Sequence, residues 1–172
     1  MIRSFEDKTP KIAASAFISE AAYVVGHVEI GEYSSVWPGA VIRGDYAGIV
    51  IGSYVHIEDN SVVHCGMPLS MGDNIICGHG AVVHCARVGS HILIGSHATL
   101  LDGVEIGDYC IIAAGSLVVP GMKIPAGSMV MGVPAVITGT LTEKQILRLK
   151  AGGIGYAEYA QKHKRHGLGD RV

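Results

Sequence analysis

The sequence predicts an all-β chain: a parallel β-helix built from hexapeptide repeats, with an α-helix at its C-terminal end. The main observation is an aliphatic residue at every sixth position. The series runs Ile12, Ile18, Val24, Ile30, Val36 and Ile42, then Ile51, Ile57 and Val63, then Met71, Cys77 and Val83. It finishes with Val88, Ile94, Leu100, Ile106, Ile112, Val118, Ile124 and Val130. Gly often follows the aliphatic position, as in Ile30-Gly31, Ile51-Gly52, Met71-Gly72, Val88-Gly89, Ile94-Gly95 and Ile106-Gly107. Small residues such as Ser34, Ala40, Ala81, Ala98 and Ser116 recur four places after it.

A period of six fits neither the 3.6 of a helix nor the 2 of a half-buried strand. It fits a coil of three flat sides, one repeat per side, with tight corners that only small residues accommodate. Coils stacked at about 4.8 Å bring the aliphatic residues into one continuous apolar column. Residues 1–138 are expected to form this domain, N-terminal segment included, and residues 139–172 a helix and tail packed on it.

The tail has its own signals. Thr142-Glu143-Lys144-Gln145 is a capping box that opens a helix, with Ile146 and Leu149 on one face. Gly152, Gly153 and Gly155 are expected to break or kink that helix before a second stretch through Tyr156, Tyr159 and Ala160. The basic end, Lys162-His163-Lys164-Arg165-His166, reads as a solvated tail.

Composition narrows the function. The chain has 172 residues, enough for a single domain with a real core. Its net charge of −2 includes no basic block, so nucleic acid is not an expected partner. No apolar run reaches the length of a membrane span, and Met1-Ile2-Arg3 opens no secretory signal, so a cytoplasmic protein without a membrane partner is expected. Cys65, Cys77, Cys85 and Cys110 lack Cys-x-x-Cys spacing, which disfavours a zinc ribbon or a dithiol redox site and favours structural thiols.

Nine histidines remain to be accounted for. If Ile51, Ile57 and Val63 form one coil, then Met71, Cys77 and Val83 form the next, and Val63 lies under Val83. His64 and His84 each follow one of that pair, so both point outward from the same side, one coil apart and within reach of a single ion. His79 follows Cys77 by two places, on the preceding side, and a corner separates it from His84. A third imidazole for that ion would have to come from a neighbouring chain, and three prisms around a threefold axis would supply it three times. Arg43 belongs to the same outward column as His64 and His84. His27, His56, His91, His97, His163 and His166 read as structural or solvated.

His64, followed by Gly78-His79-Gly80-Ala81-Val82-Val83-His84 inside a hexapeptide helix, resembles the γ-class carbonic anhydrases. The resemblance runs from about Lys11 to the C-terminal helix and includes Arg43-Gly44-Asp45, Asp59 and Gly132-Val133-Pro134. It is closest to the compact subgroup without an acidic loop, also labelled ferripyochelin-binding proteins. It implies a left-handed coil, a homotrimer, and zinc, with iron or cobalt as alternatives, held by His64, His79 and His84. It also implies reversible hydration of carbon dioxide to bicarbonate, ion pairs of Arg43, Asp45 and Asp59 at the subunit interface, and Tyr156 near the metal. A packing role on the helix face remains open for Tyr156.

Two departures from the family stand out. His56-Ile57-Glu58-Asp59 replaces the usual Asn-x-Gln-Asp, so Glu58 keeps an acceptor where an amide would also donate. A carboxylate there is expected to raise the pKa of water at the ion and slow turnover at neutral pH; the alternative is that Glu58 itself accepts the proton from that water. The loop Cys65-Gly66-Met67-Pro68-Leu69-Ser70 holds no carboxylate, so the proton-shuttling glutamates of the fast enzymes are missing. Two rival readings stay in play: an acyl-CoA-dependent acetyltransferase, and a non-catalytic metal-binding scaffold.

Overall fold

The computed structural model describes residues 1–85 and 87–169. Short parallel strands wind into a three-sided prism whose hydrogen bonds run from coil to coil. The sides form two sheets, of twelve and eight strands. The larger sheet covers two faces, because its strands Tyr23–Ile30 and Val41–Ile51 bend around a corner. Val41–Ile51 accordingly pairs with Val62–His64 through its first half and with Leu69–Met71 through its second. The expected coils are found: Ile51 pairs with Met71, Ile57 with Cys77 and Val63 with Val83. One coil earlier, Ile42 pairs with Val63 and Arg43 with His64.

The column inside the prism is dry. Ile42, Ile57, Val83, Ile94, Leu100 and Ile112 are at most 1 % exposed. Each such side chain contributes roughly 1.5–3 kcal/mol of burial. Ser34, Ala40, Ala81, Ala98 and Ser116 are also buried, just inside the corners. All four cysteines are free and buried, Cys65 and Cys85 within the core. The corners take left-handed backbone at Tyr33, Tyr54, Asn60, Asn74, His91 and Tyr109. Stacked rings compensate at some of them: Tyr33 lies on Tyr54 at 5.3 Å, and His91 on Tyr109 at 4.6 Å. The last coil ends in an antiparallel hairpin of Ser128–Gly132 and Ala135–Thr140.

The C-terminal helix corrects two expectations. It is a single helix, Glu143–Arg165, opened by the Thr142–Gln145 capping box and unbroken at Gly152, Gly153 and Gly155. These glycines permit close packing instead. A Cβ on Gly153 would sit 2.4 Å from Asn74 Oδ1 and 3.1 Å from the Tyr54 carbonyl. One on Gly152 would meet Ile76 Cδ1 at 3.0 Å. The bare backbone therefore lies on the prism, and Leu149, Ala157 and Ala160 are buried beneath the helix. Packing against the prism supplies what the glycines withhold in helix propensity.

Nor is the basic end a solvated tail. It forms the last helical turns, where His163 packs edge-on to Trp37 at 5.0 Å and Lys164 Nζ donates to the carbonyls of Ala14 and Ala16. Residues 170–172 of the tail lie outside the described residues. Among the described residues, no helix is long and apolar enough to cross a membrane.

Candidate metal centre

The three expected ligand histidines stand on two different faces. His64 and His84 project from one side of the prism on successive coils, ring centroids 5.4 Å apart and edge to face. His79 lies around the corner with Glu58 and Asp59, in a separate cavity. One chain therefore presents these imidazoles in two separate groups.

Each imidazole has an acceptor beside its Nδ1. His64 Nδ1 lies 2.7 Å from the Arg43 carbonyl, His84 Nδ1 lies 3.1 Å from Asp102 Oδ1, and His79 Nδ1 lies 3.1 Å from Asp59 Oδ2. A carbonyl or a carboxylate can only accept, so the hydrogen bonds of His64 and His79 place a hydrogen on Nδ1 and leave the Nε2 lone pair for a cation, and the Asp102 carboxylate beside His84 Nδ1 favours the same tautomer. Anchoring of the second ring nitrogen by such an acceptor is the usual support of a metal-binding imidazole.

His79 adds a second indication. Its Nε2 faces Glu58 Oε2 at 3.3 Å. With Nδ1–H given to Asp59, two acceptors confront each other, an arrangement that calls for a positive charge between them, a proton or a metal ion. The donor chemistry thus fits a divalent ion of the zinc type.

His56 serves another end. His56 is fully buried; its Nε2 donates to the Gly153 carbonyl at 2.8 Å, and its Nδ1 accepts from Ser35 Oγ at 2.7 Å. Ser35 Oγ in turn accepts from Trp37 Nε1. Burial pulls His56 down from 6.5 to about 4, against the upward effect of its bond to Gly153. It is a neutral fastener between prism and helix.

Among the other expected site residues, Glu58 is buried and within hydrogen-bonding reach of the Tyr156 hydroxyl. Burial, and then the bond to and charge of Glu58, push that hydroxyl up to about 12, so Tyr156 keeps its proton and donates it to Glu58. The Tyr156 ring also stacks on His56 at 5.3 Å, so its packing role and its place beside Glu58 coexist. Arg43 pairs with Asp45 of its own chain, at 2.8 Å. Partial burial raises the Asp45 carboxyl, but the hydrogen bond and charge of Arg43, with backbone N–H groups, outweigh it and hold the group below its usual range. The Cys77 and Cys85 thiols are pushed up to about 12 by burial. Cys65 does approach His84 and Asp102, with donor atoms within 4.8 Å of one another. Asp102 already engages His84 Nδ1 there, which makes the carboxylate an anchor for that ring.

Sequence reasoning missed two features. Asp102 sits two places beyond Leu100, the cross-coil partner of Val83, so the histidine column itself runs on to Leu101 and does not mark it. The N-terminal turn, where Phe5 and Lys8 exchange backbone hydrogen bonds, also lines the cavity of His64 and His84. No periodic signal marks that turn.

A family model described as bacterial transferase hexapeptide (six repeats) matches residues 85–120. A carbonic anhydrase of Geobacillus kaustophilus is 43 % identical over 166 residues, covering 95 % of this chain and 91 % of its own length. The chain belongs to the γ-class carbonic anhydrase family. Mitochondrial γ carbonic anhydrase 2 of Arabidopsis thaliana is 38 % identical over 165 residues, or 91 % of this chain. This γ-class chain spans only 59 % of that plant relative. The crystal structure of a hexapeptide transferase family protein from Anaplasma phagocytophilum superposes with a TM-score of 0.91 at 30 % identity, covering 95 % of this chain and 98 % of the other.

Proposed function

We propose that this protein catalyses the reversible hydration of carbon dioxide to bicarbonate at metal sites shared between the subunits of a homotrimer. In this reading His64 and His84 of one subunit and His79 of the next hold the ion, zinc being the natural choice for three neutral imidazoles. The observation that carries it is the acceptor beside the Nδ1 of each of these three rings, which favours Nε2 atoms left for a cation on two separate faces. The names of the relatives agree with it.

A divalent ion supplies a Lewis acid that brings the pKa of water down towards ~7, so that hydroxide is present to attack carbon dioxide. The protein supplies position and proton traffic. Arg43, through its carbonyl, Asp102 and Asp59 each fix one imidazole in the tautomer the site needs. Glu58 accepts a hydrogen bond from the attacking water, and Tyr156 holds the Glu58 carboxylate in place. Asp45 keeps the Arg43 guanidinium turned into the cavity beside His64 and His84.

The test is hydration of carbon dioxide by zinc-loaded and iron-loaded protein at measured metal occupancy. Catalysis that is lost on chelation and restored by metal is the expected result. Metal-replete protein with no hydration above buffer would overturn the enzymatic reading and leave a metal-binding scaffold. Because the structural neighbour is named a transferase, the same preparations should also be assayed with acetyl-CoA and amine acceptors, where no transfer is expected.

A further inference from the structure

The N-terminal turn brings Lys8 to the cavity of His64 and His84, a space of about 560 Å³. The turn is pinned at its stem. Phe5 N–H donates to the Lys8 carbonyl at 2.9 Å, and Lys8 N–H to the Phe5 carbonyl at 3.0 Å. The Ser4 and Thr9 hydroxyls meet beside them at 2.8 Å, and Glu6 closes the turn in left-handed backbone, at φ 51°. Lys8 is thus held through its backbone, and it is half-buried. Its ammonium nevertheless makes no ion pair and no hydrogen bond among the described residues. The other charges of the lining do not answer it. Arg43 and Asp45 are paired with each other at 2.8 Å. Glu6 stands at the exposed tip of the turn and makes no ion pair with Lys8.

We infer that Lys8 binds the bicarbonate anion in this cavity, donating a charge-assisted hydrogen bond to one of its oxygens. An ammonium has three hydrogens to donate and no lone pair to accept with. Drawn partly out of water without a partner, it is stabilised when an anion arrives. Carbon dioxide, being neutral, offers no charge for Lys8 to hold, so the contact acts on the hydrated species. The identity of the anion as bicarbonate rests on the hydration reading; the capture of a small oxyanion by Lys8 does not.

The test titrates the assembled, cobalt-loaded protein with bicarbonate at a fixed alkaline pH and reads binding from the visible absorption of the ion. Lys8→Met should weaken bicarbonate about fivefold to tenfold, whereas Lys8→Arg, which keeps the charge, should cost about twofold at most. Added salt should weaken bicarbonate more in the parent than in Lys8→Met. Lys11→Met is the control, since Lys11 is paired with Glu29 at 3.0 Å and does not line the cavity. It removes the same charge and should leave the affinity unchanged. The Lys8 ammonium has no partner to lose, so Lys8→Met should melt at the temperature of the parent. No saturable spectral change with bicarbonate, an affinity that Lys8→Met leaves unaltered, or equal losses in Lys8→Met and Lys11→Met would overturn the inference. Absorption reports binding without turnover, so the two readings fail separately. Bicarbonate bound through Lys8 with no hydration of carbon dioxide defeats the hydration reading alone, and hydration with binding indifferent to Lys8 defeats this inference alone.

Discussion

His56 Nε2 donates to the Gly153 carbonyl across 2.8 Å, joining the flat side of the prism to the middle of the C-terminal helix. Because the ring is buried and neutral, it resists protonation until the pH nears about 4, whereas in the unfolded chain it takes a proton near 6.5. The unfolded state therefore binds more protons between those values. Stability is at its full value above pH 6.5 and falls as the pH drops through this window, by about 3 kcal/mol when fully developed. His56→Gln should be less stable at pH 7 yet lose less between pH 7 and pH 4.5. Denaturant unfolding at several pH values checks this, and parallel curves for the two proteins would contradict it.

The helix glycines separate packing from propensity. Gly153→Ala should destabilise by about 1–3 kcal/mol, since its Cβ meets Asn74 and the Tyr54 backbone, despite the better intrinsic helix propensity of Ala. At Gly155 nothing lies within 4 Å of an added Cβ, so Gly155→Ala should stabilise by up to about 1 kcal/mol. Thermal melts of the two variants should move in opposite directions.

Asp102→Asn removes the carboxylate that fixes His84 Nδ1 while leaving a side chain of the same size. Metal affinity should fall about 10–100-fold, as is usual when the support of a ligand imidazole is lost. Asp102 is largely exposed, so the melting temperature of the metal-free protein should hardly change. Competition with a chelator measures the first effect, and calorimetry the second.

Glu58→Gln restores the amide of the family pattern. At equal metal occupancy, hydration at neutral pH should rise, because the carboxylate no longer opposes formation of hydroxide at the ion. The Tyr156 hydroxyl should titrate below about 12 in the variant, since part of its shift comes from Glu58. Rate–pH profiles and the NMR titration of labelled tyrosine give the two readouts. A lower rate across the whole pH range would mean that Glu58 itself takes the proton.

Where the sequence was legible, period and register coincided. Spacing alone placed Val63 under Val83, and so His64 under His84, because a repeat of six leaves one way to close a three-sided coil. The same logic put Ile57 under Cys77, and in the structure Glu58 and His79, which follow them, lie side by side. Legibility ended where contacts depend on another element's surface. Gly153 looks like a helix breaker in isolation and becomes a packing site only against Asn74 and Tyr54. His163 looks solvated until the helix carries it onto Trp37. Asp102 lies past the histidines in a repeat with no histidine of its own, so only the folded coil reveals it as the partner of His84.

The central claim, an ion shared between chains, is tested most directly by mixing subunits. His79→Ala and His84→Ala are purified separately, unfolded, combined in equal amounts and refolded, and bound metal is counted. Every mixed trimer then has one interface at which His64 and His84 of one chain face an intact His79 of its neighbour. Random mixing should restore about one quarter of the wild-type metal content, with neither parent binding appreciably. No metal above the parents in verified mixed trimers would contradict the account, as would a metal-replete monomer of the unmutated chain.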